Sequence, residues 1–143
     1  MTIKVLVSGA GGDVGQGVLK ALAASRLDLK FYTTCISQHS SWLHMGVTSF
    51  IAPPSADEEY VDYLIRLIRR FGIQVFFPSV DGEITKIARE KARIEGETGA
   101  LVFVDDLERV SICGDKFKTS EFLRRNGFAY PESVVADGQS AHD

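Results

Sequence analysis

The fold of this chain is decided near its start, by residues 3–15, which read IKVLVSGAGGDVG. The first five form a short apolar run rich in β-branched residues, as expected of a strand buried inside a parallel sheet. Four glycines follow within residues 8–15, and Val14, Val18 and Leu22 then recur at the spacing of a helix face. This pattern predicts a strand that enters a helix through a tight glycine-rich turn.

Strands and helices alternate along the rest of the chain. The predicted strands cover residues 3–7, 30–36, 47–52, 73–77 and 100–104, and a last extended segment covers 132–135. The predicted helices cover residues 13–25, 55–71 with Ser55 as N-cap, 81–92, 105–110 and 115–126. Such alternation requires a parallel sheet with helices on both faces. The predicted fold is therefore an α/β class with an open, mostly parallel, Rossmann-like sheet.

Composition excludes several classes of function. The 143 residues carry a formal net charge of -3, and no basic run is long enough to hold a nucleic-acid backbone. No apolar stretch approaches the roughly 20 residues of a membrane span. Cys35 and Cys113 are far apart without a CxxC partner, and the three histidines lack ligand spacing, so neither a disulfide nor a metal is predicted. The expected compartment is the cytoplasm.

The glycine-rich turn contains GxxGxxG at Gly9, Gly12 and Gly15. Glycines there permit positive φ and close approach of a ligand, and the free N–H groups at the helix start favour an anion. The alternative is that the glycines serve only the turn and close packing. Because ligands bind at the carboxyl edge of an open parallel sheet, we predict a site for a substrate or anion there. Its candidate residues are Gly9, Gly11, Gly12, Asp13, Ser79, Asp81 and Glu83.

Two of those candidates have an alternative role. Asp81 can instead be the N-cap of the helix that follows it, and Glu83 can add negative charge to the first turn of that helix. Trp42 and His44 follow the second strand and could flank a ligand, although core or interface roles are the alternative.

The glycine spacing also resembles that of the extended short-chain dehydrogenases and sugar epimerases, which implies an NAD(P)-binding module. Two features oppose this interpretation. The second strand is followed by TTCISQ, residues 33–38, which supplies neither the acid expected for the ribose hydroxyls nor an arginine for a 2′-phosphate. In addition, no tyrosine of the chain is followed four residues later by lysine, so the Tyr-x-x-x-Lys pair that the resemblance implies is absent.

Three later segments read FFPSVDGE at 76–83, ICGDKFKT at 112–119 and NGFAYPES at 126–133. Together with the opening turn they resemble the N-terminal, pre-ATP-grasp domain of the ATP-grasp ligases, which is similar in layout to carbamoyl phosphate synthase large subunits and biotin carboxylase. The resemblance implies a pre-ATP-grasp domain at 1–111, a helix and strand at 112–135 that lead into a missing ATP-grasp domain, and a polar tail at 136–143. It also implies that Lys116 contacts the ATP phosphates.

This resemblance predicts the front piece of a carboxylate–amine or carboxylate–thiol ligase, inactive alone. ATP and Mg²⁺ would serve the full-length protein, and no cofactor is expected to bind tightly to this piece. The expected partners are a small carboxylate or phosphorylated metabolite, the remainder of the ligase chain and a second copy in a homodimer. Nucleic acid and membrane are not among them. The alternative function is the NAD(P)-binding module.

Overall fold

The computed structural model describes residues 1–40 and 46–135, which form two compact units, Met1–Asp105 and Asp106–Asp143. The elements of the first unit are β1 Ile3–Val7, α1 Asp13–Ala23, β2 Leu29–Cys35, β3 Thr48–Ile51, α2 Tyr60–Phe71, β4 Val75–Phe77, α3 Asp81–Thr98 and β5 Leu101–Val102. Those of the second unit are α4 Leu107–Cys113 and α5 Lys116–Arg125. The predicted polar tail at 136–143, together with Trp42 and His44, lies outside the described residues.

The sheet of the first unit has the strand order β3-β2-β1-β4-β5, and every pairing is parallel. The chain adds β2 and β3 on one side of β1 and then returns to add β4 and β5 on the other side. The order therefore reverses between β1 and β4, which is where open α/β sheets form a crevice at their carboxyl edge. The predicted α/β class with an open parallel sheet is confirmed.

Helices cover both faces of this sheet because its strands are apolar on both. On one face, Leu6 and Phe76 are fully buried beneath Leu64 of α2 and Ile87 of α3. On the other face, β1 packs against α1. The buried residues of that second cluster are Val5, Val7, Ala10 and Leu19. At about 25 cal/mol per Å² of apolar surface removed from water, these two clusters supply the main driving force for folding of the unit.

Two predicted element boundaries are wrong. Ser55 is not a helix cap, because the segment after Pro54 forms its own turns: the amide of Asp57 donates to the carbonyl of Pro54 at 3.0 Å, and the amide of Glu59 to the Asp57 carboxylate at 2.9 Å. These bonds delay the start of α2 to Tyr60. The segment 132–135 was expected to be extended, and within the described part of the chain it belongs to no strand.

The second unit is built on two capped helices. The Asp106 carboxylate accepts from the amide of Arg109 at 2.9 Å, and the Asp115 carboxylate accepts from those of Phe117 and Lys118 at 2.9 and 3.0 Å. Both caps satisfy N–H groups that have no partner inside the helix. Within residues 1–40 and 46–135, no helix is long and apolar enough to cross a membrane.

Candidate functional site

A cavity of about 640 Å³ lies at the carboxyl edge of the sheet in the first unit. The glycine turn after β1, the end of β2, the segment after β3 and the segment after β4 line it. Its lining residues include Gly9, Gly12, Asp13, Thr34, Cys35, Pro54, Tyr60, Ser79, Asp81 and Glu83. Its volume is within the range of small-molecule sites, and its position beside the β1–β4 reversal is the expected ligand position for this topology.

The turn after β1 is held in one conformation by backbone hydrogen bonds. Gly9 has φ of 58°, the left-handed region that favours glycine. The amide of Gly12 donates to the carbonyl of Gly9 at 2.8 Å, and the amide of Ala10 donates to the carbonyl of Thr34 at 3.1 Å. The turn is therefore closed on itself and tied to the neighbouring strand, so its shape does not depend on a ligand.

Gly15 and Gly12 differ in what surrounds them. A Cβ atom at Gly15 would lie 2.5 Å from the Gly9 carbonyl oxygen and 2.8 Å from the Ser79 Oγ atom, so packing within the protein requires glycine there. A Cβ atom at Gly12 would meet only the Gly9 carbonyl oxygen, at 3.4 Å. Gly12 also lines the cavity at an ordinary φ of -92°. The protein itself therefore does not require glycine at position 12, whereas a ligand lying close to the backbone would.

The first turn of α1 has backbone N–H groups available to a ligand. The first bond within the helix runs from the amide of Gln16 to the carbonyl of Gly12 at 3.0 Å, and Gly12, as N-cap, offers no side-chain acceptor. The amides of Asp13, Val14 and Gly15 precede that bond, so helix geometry leaves them without an intrahelical acceptor. With the helix dipole they favour a negative charge, although the Asp13 carboxylate in the same turn opposes it.

A buried carboxylate lies beneath the cavity. Glu83 is 1% exposed. Its Oε1 atom accepts from the Ser8 hydroxyl and from the amide of Ser79 at 2.9 Å, and its Oε2 atom accepts from the Tyr60 hydroxyl. The Ser79 hydroxyl in turn donates to the carbonyl of Ser8. These bonds join the ends of β1 and β4 to the starts of α2 and α3, which fixes the floor of the cavity.

The same network determines the protonation of Tyr60. Burial raises the pKa of the Tyr60 hydroxyl, and the charge of Glu83 and its hydrogen bond raise it further. The hydroxyl therefore stays protonated and acts as a donor to Glu83, not as a base. Tyr60 and Ser8 were not predicted as site residues. A single sequence gives no measure of which polar groups are buried together.

The cavity brings together six of the predicted site residues, namely Gly9, Gly12, Asp13, Ser79, Asp81 and Glu83. The seventh, Gly11, lies in the same turn beside Cys35 and Ser40. Asp81 is the first residue of α3, whose N-cap is Val80, so the N-cap role for Asp81 is wrong. Lys116 is the first residue of α5 in the second unit. Across the described ranges, no group of three or more His, Cys, Asp or Glu side chains could hold a metal.

Comparisons with known proteins identify the fold of the chain. No protein-family model matches the sequence, and no curated protein matches it. Among solved structures, a short chain dehydrogenase family protein from Francisella tularensis is similar with a TM-score of 0.52, 11% identity, and coverage of 91% of this chain and 67% of that chain. Yeast methylglyoxal/isovaleraldehyde reductase in complex with NADPH is similar with a TM-score of 0.53, 12% identity, and coverage of 87% of this chain and 50% of that chain.

At these identities the similarity shows the fold alone: the chain shares a Rossmann-like α/β fold with these two structures. The chain spans only part of these proteins: half of the yeast reductase, and 34% of a UDP-Glc/GlcNAc 4-epimerase from Campylobacter jejuni.

The same comparisons contradict the ATP-grasp interpretation. The similar structures described above are a reductase and a short chain dehydrogenase family protein, and no ATP-grasp ligase is among the matches. The expected ATP and Mg²⁺ are wrong as well, because a nucleotide named with these structures is NADPH. The prediction that Lys116 contacts ATP phosphates therefore loses the resemblance on which it rested. The motifs at 76–83, 112–119 and 126–133 are short, and common turn and cap chemistry accounts for them: Asp115, for example, caps α5.

Proposed function

We propose that the unit Met1–Asp105 is an NAD(P)-binding module, with the dinucleotide pyrophosphate over the turn Gly9–Gly12 and the first turn of α1. The main support for the proposal is the surroundings of Gly12. This residue lines the cavity, and the protein itself leaves room for a side chain there. A bound pyrophosphate would explain why position 12 has no side chain, because the pyrophosphate must approach the backbone directly.

Charge and position support the same ligand. The amides of Asp13, Val14 and Gly15 offer donors at the positive end of the α1 dipole, where an anion gains about 0.3–1 kcal/mol per exposed contact and up to about 2 when partly buried. The cavity lies at the strand-order reversal, and its walls are largely apolar side chains such as Val14, Ile36 and Pro53. Apolar walls suit the flat faces of an adenine or nicotinamide ring.

The proposal concerns binding and assigns no reaction. The sequence contains no Tyr-x-x-x-Lys, the pair that the dehydrogenase resemblance implies for proton transfer. The reductase and epimerase activities belong to the proteins named above. For this chain we propose the cytoplasm as the compartment, supported by its two unpaired cysteines, Cys35 and Cys113.

The experiment that tests the proposal is a titration of the protein with NADPH, followed by cofactor fluorescence and by the shift in melting temperature. Saturable binding is expected. Gly12→Ala should weaken it by at least about tenfold, which is about 1.4 kcal/mol, while changing the stability of the free protein by less than about 1 kcal/mol. Gly96→Ala is the matched control, because a Cβ atom there meets nothing within 4 Å. Equal NADPH affinity in the two variants, or no binding by the wild type, would contradict the proposal.

A second candidate is a small carboxylate or phosphorylated metabolite bound at the same turn. It is favoured by the end of β2, where residues 34–38 carry no acid and no arginine for a ribose. Inorganic phosphate and acetate distinguish the two candidates. Stabilisation by either anion without stabilisation by NADPH would favour the metabolite, because only the dinucleotide fills the apolar part of the cavity.

A further inference from the structure

A second cavity, of about 620 Å³, lies at the outer edge of the sheet in the first unit. It lies between β3 and α2, and its lining residues include Phe50 and Ile51 of β3 and Tyr63, Arg66 and Arg70 of α2. None of its lining residues lines the candidate functional site. β3 is the last strand on this side, so within the described ranges the sheet does not continue beyond the cavity. A partner at this edge would therefore contact β3 and α2 together.

The cavity walls combine apolar and aromatic surface that the protein holds in place. The rings of Phe50 and Phe71 lie 4.9 Å apart. The Tyr63 hydroxyl donates to the carbonyl of Ile51 at 3.3 Å, which ties α2 to the edge strand. Ile51 is 50% exposed. Apolar surface of fixed shape at the edge of a sheet is typical of a surface that a protein partner covers.

One stripe of α2 faces this edge and carries charges of both signs. Tyr63, Arg66 and Arg70 line the cavity. Glu59 lies on the same stripe, because residues three or four apart share one face of a helix. Glu59, Arg66 and Arg70 are all exposed. Within residues 1–40 and 46–135 none of these three makes an ion pair, and Arg70 lies instead over the ring of Phe71 at 5.5 Å. These charges are therefore available to a partner.

The helix dipole accounts for only part of this charge pattern. A negative charge at the start of a helix and a positive charge in its last turn are both stabilising, which covers Glu59 and Arg70. Arg66 lies in the middle of α2, where the dipole effect has faded. The dipole also does not select one face, since any position in the first or last turn would serve. The direction of the stripe toward the cavity therefore has another reason.

The stripe is complementary to itself when it is reversed. Counted along the chain, Tyr63 and Arg66 lie equally far from its centre, and so do Glu59 and Arg70. Two copies of α2 packed antiparallel about a two-fold axis through that centre place Glu59 opposite the partner's Arg70 and Tyr63 opposite the partner's Arg66. The first contact is an ion pair, and the second places a guanidinium over an aromatic ring. The two-fold axis makes each contact occur twice.

We propose that the protein forms a symmetric homodimer through the α2 face, defined as the stripe from Glu59 to Arg70 together with Ile51. A second copy fits this face better than an acidic peptide, because Glu59 would repel such a peptide and attracts the partner's Arg70. Exposed ion pairs are individually weak and are screened by salt. The dimer is therefore expected to form at micromolar concentrations and to weaken as salt is raised.

The experiment exchanges the two charges of the proposed ion pair. Sedimentation velocity over a concentration series measures the dimer dissociation constant of the wild type, Glu59→Arg and Arg70→Glu at low and high salt. Each variant should raise this constant by at least about tenfold, because like charges then face each other at both ends of the interface. An equimolar mixture of the two variants should dimerise as the wild type does, since in the mixed dimer both positions again hold opposite charges.

Glu108→Arg and Arg26→Glu are the matched controls for net charge. Both residues are exposed and lie outside the α2 face, and the substitutions change the charge by the same amounts. Alone and mixed, they should keep the wild-type dissociation constant within about threefold. Circular dichroism melting establishes that each variant is folded. Where a charge reversal prevents folding, Glu59→Gln and Arg70→Gln replace it, and each should weaken the dimer by about 2- to 10-fold.

Several outcomes would overturn the proposal. A wild type that stays monomeric at every concentration is one, and a dimer that the variants of Glu59 and Arg70 leave intact is another. Equal weakening by the control variants would assign the effect to net charge. If both charge reversals were folded and monomeric but their mixture did not dimerise, the antiparallel contact would be wrong. Binding of a glutamate-rich peptide to a monomeric wild type would assign the α2 face to an acidic partner. None of these measurements involves NADPH, so their result is independent of the proposed function.

Discussion

Gly15 packs so closely against Gly9 that a Cβ atom at Gly15 would lie 2.5 Å from the Gly9 carbonyl oxygen and 2.9 Å from its carbonyl carbon. Both contacts are with backbone, which cannot rotate away. This approach sets how near the start of α1 comes to the end of β1, and so where the free amides of α1 point. Packing within the protein therefore requires glycine at position 15, whereas Gly12 faces the cavity.

We expect Gly15→Ala to lower the free energy of unfolding by about 2–4 kcal/mol, because the added methyl group overpacks a backbone contact. Gly17→Ala in the same helix is the matched control, since a Cβ atom there meets nothing within 4 Å. That substitution should raise stability by about 0.5–1 kcal/mol through helix propensity. Urea unfolding followed by circular dichroism measures both. A Gly15→Ala variant as stable as the wild type would show that the turn can widen freely.

Substitution of Glu83 should lower the free energy of unfolding more than most other single substitutions in the first unit. Glu83→Ala removes the acceptor of the Tyr60 hydroxyl, and it leaves the Ser8 hydroxyl with the Phe77 carbonyl at 3.4 Å and the Ser79 amide with the Ser8 hydroxyl at 3.1 Å. The substitution should cost about 3–5 kcal/mol. Glu83→Gln keeps the shape and one acceptor oxygen, and should cost about 1–2 kcal/mol.

The control for Glu83 is Glu90→Ala on the same helix, where an exposed salt bridge to Arg93 contributes at most about 1 kcal/mol. Chemical denaturation again supplies the measurement. If Glu83→Ala and Glu90→Ala were equally mild, the buried network would not hold the segments together.

Neutralising Asp13 should change stability and ligand affinity in opposite directions. Asp13 lies in the first turn of α1 and lines the cavity. Its negative charge therefore interacts favourably with the helix dipole but repels a pyrophosphate. Asp13→Asn should lower the free energy of unfolding by about 0.3–1 kcal/mol and tighten NADPH binding by about 2- to 5-fold at low salt, with less gain as salt is raised.

Asp28→Asn is the control for charge alone, because Asp28 directly precedes β2 at the opposite edge of the sheet and bonds to Thr2. Isothermal titration at two salt concentrations would measure the difference. Equal tightening by both substitutions would point to net charge and not to the position of Asp13.

The raised pKa of Tyr60 predicts alkaline sensitivity. The folded protein holds this hydroxyl protonated, whereas the unfolded chain releases its proton near pH 10. The stability contributed by the raised pKa is therefore fully present below about pH 10 and is lost as pH rises above it, at about 1.4 kcal/mol per pH unit. Tyr60→Phe should be less stable near pH 8 because Glu83 loses a donor, but should lose stability less steeply above pH 10. Unfolding free energies from pH 8 to 11 measure both slopes, and parallel curves would be evidence against a protonated Tyr60.

The short motifs behind the ATP-grasp interpretation were too unspecific to identify a family. Its residues at 76–83 and 112–119 encode local features that many folds share, namely the end of a strand and a capped helix start. In the structure, Glu83 serves a buried network, and Asp115 caps α5. The order of such local features along a chain therefore predicted secondary structure better than it predicted a family.

The sequence by itself determined the α/β class, the strand before the glycine turn and the start of α1, since β-branched runs, glycine clusters and helical periodicity act within a few residues of one another. The tertiary structure alone decided that Glu83 is buried with Tyr60 and Ser8, and that packing requires glycine at position 15 while Gly12 faces a cavity. It also decided that, among residues 1–40 and 46–135, the Ser40 hydroxyl has no hydrogen-bond partner. These properties depend on distances between segments up to 75 residues apart in sequence, as between Ser8 and Glu83. Burial and polar pairing arise only when such segments meet in the folded chain.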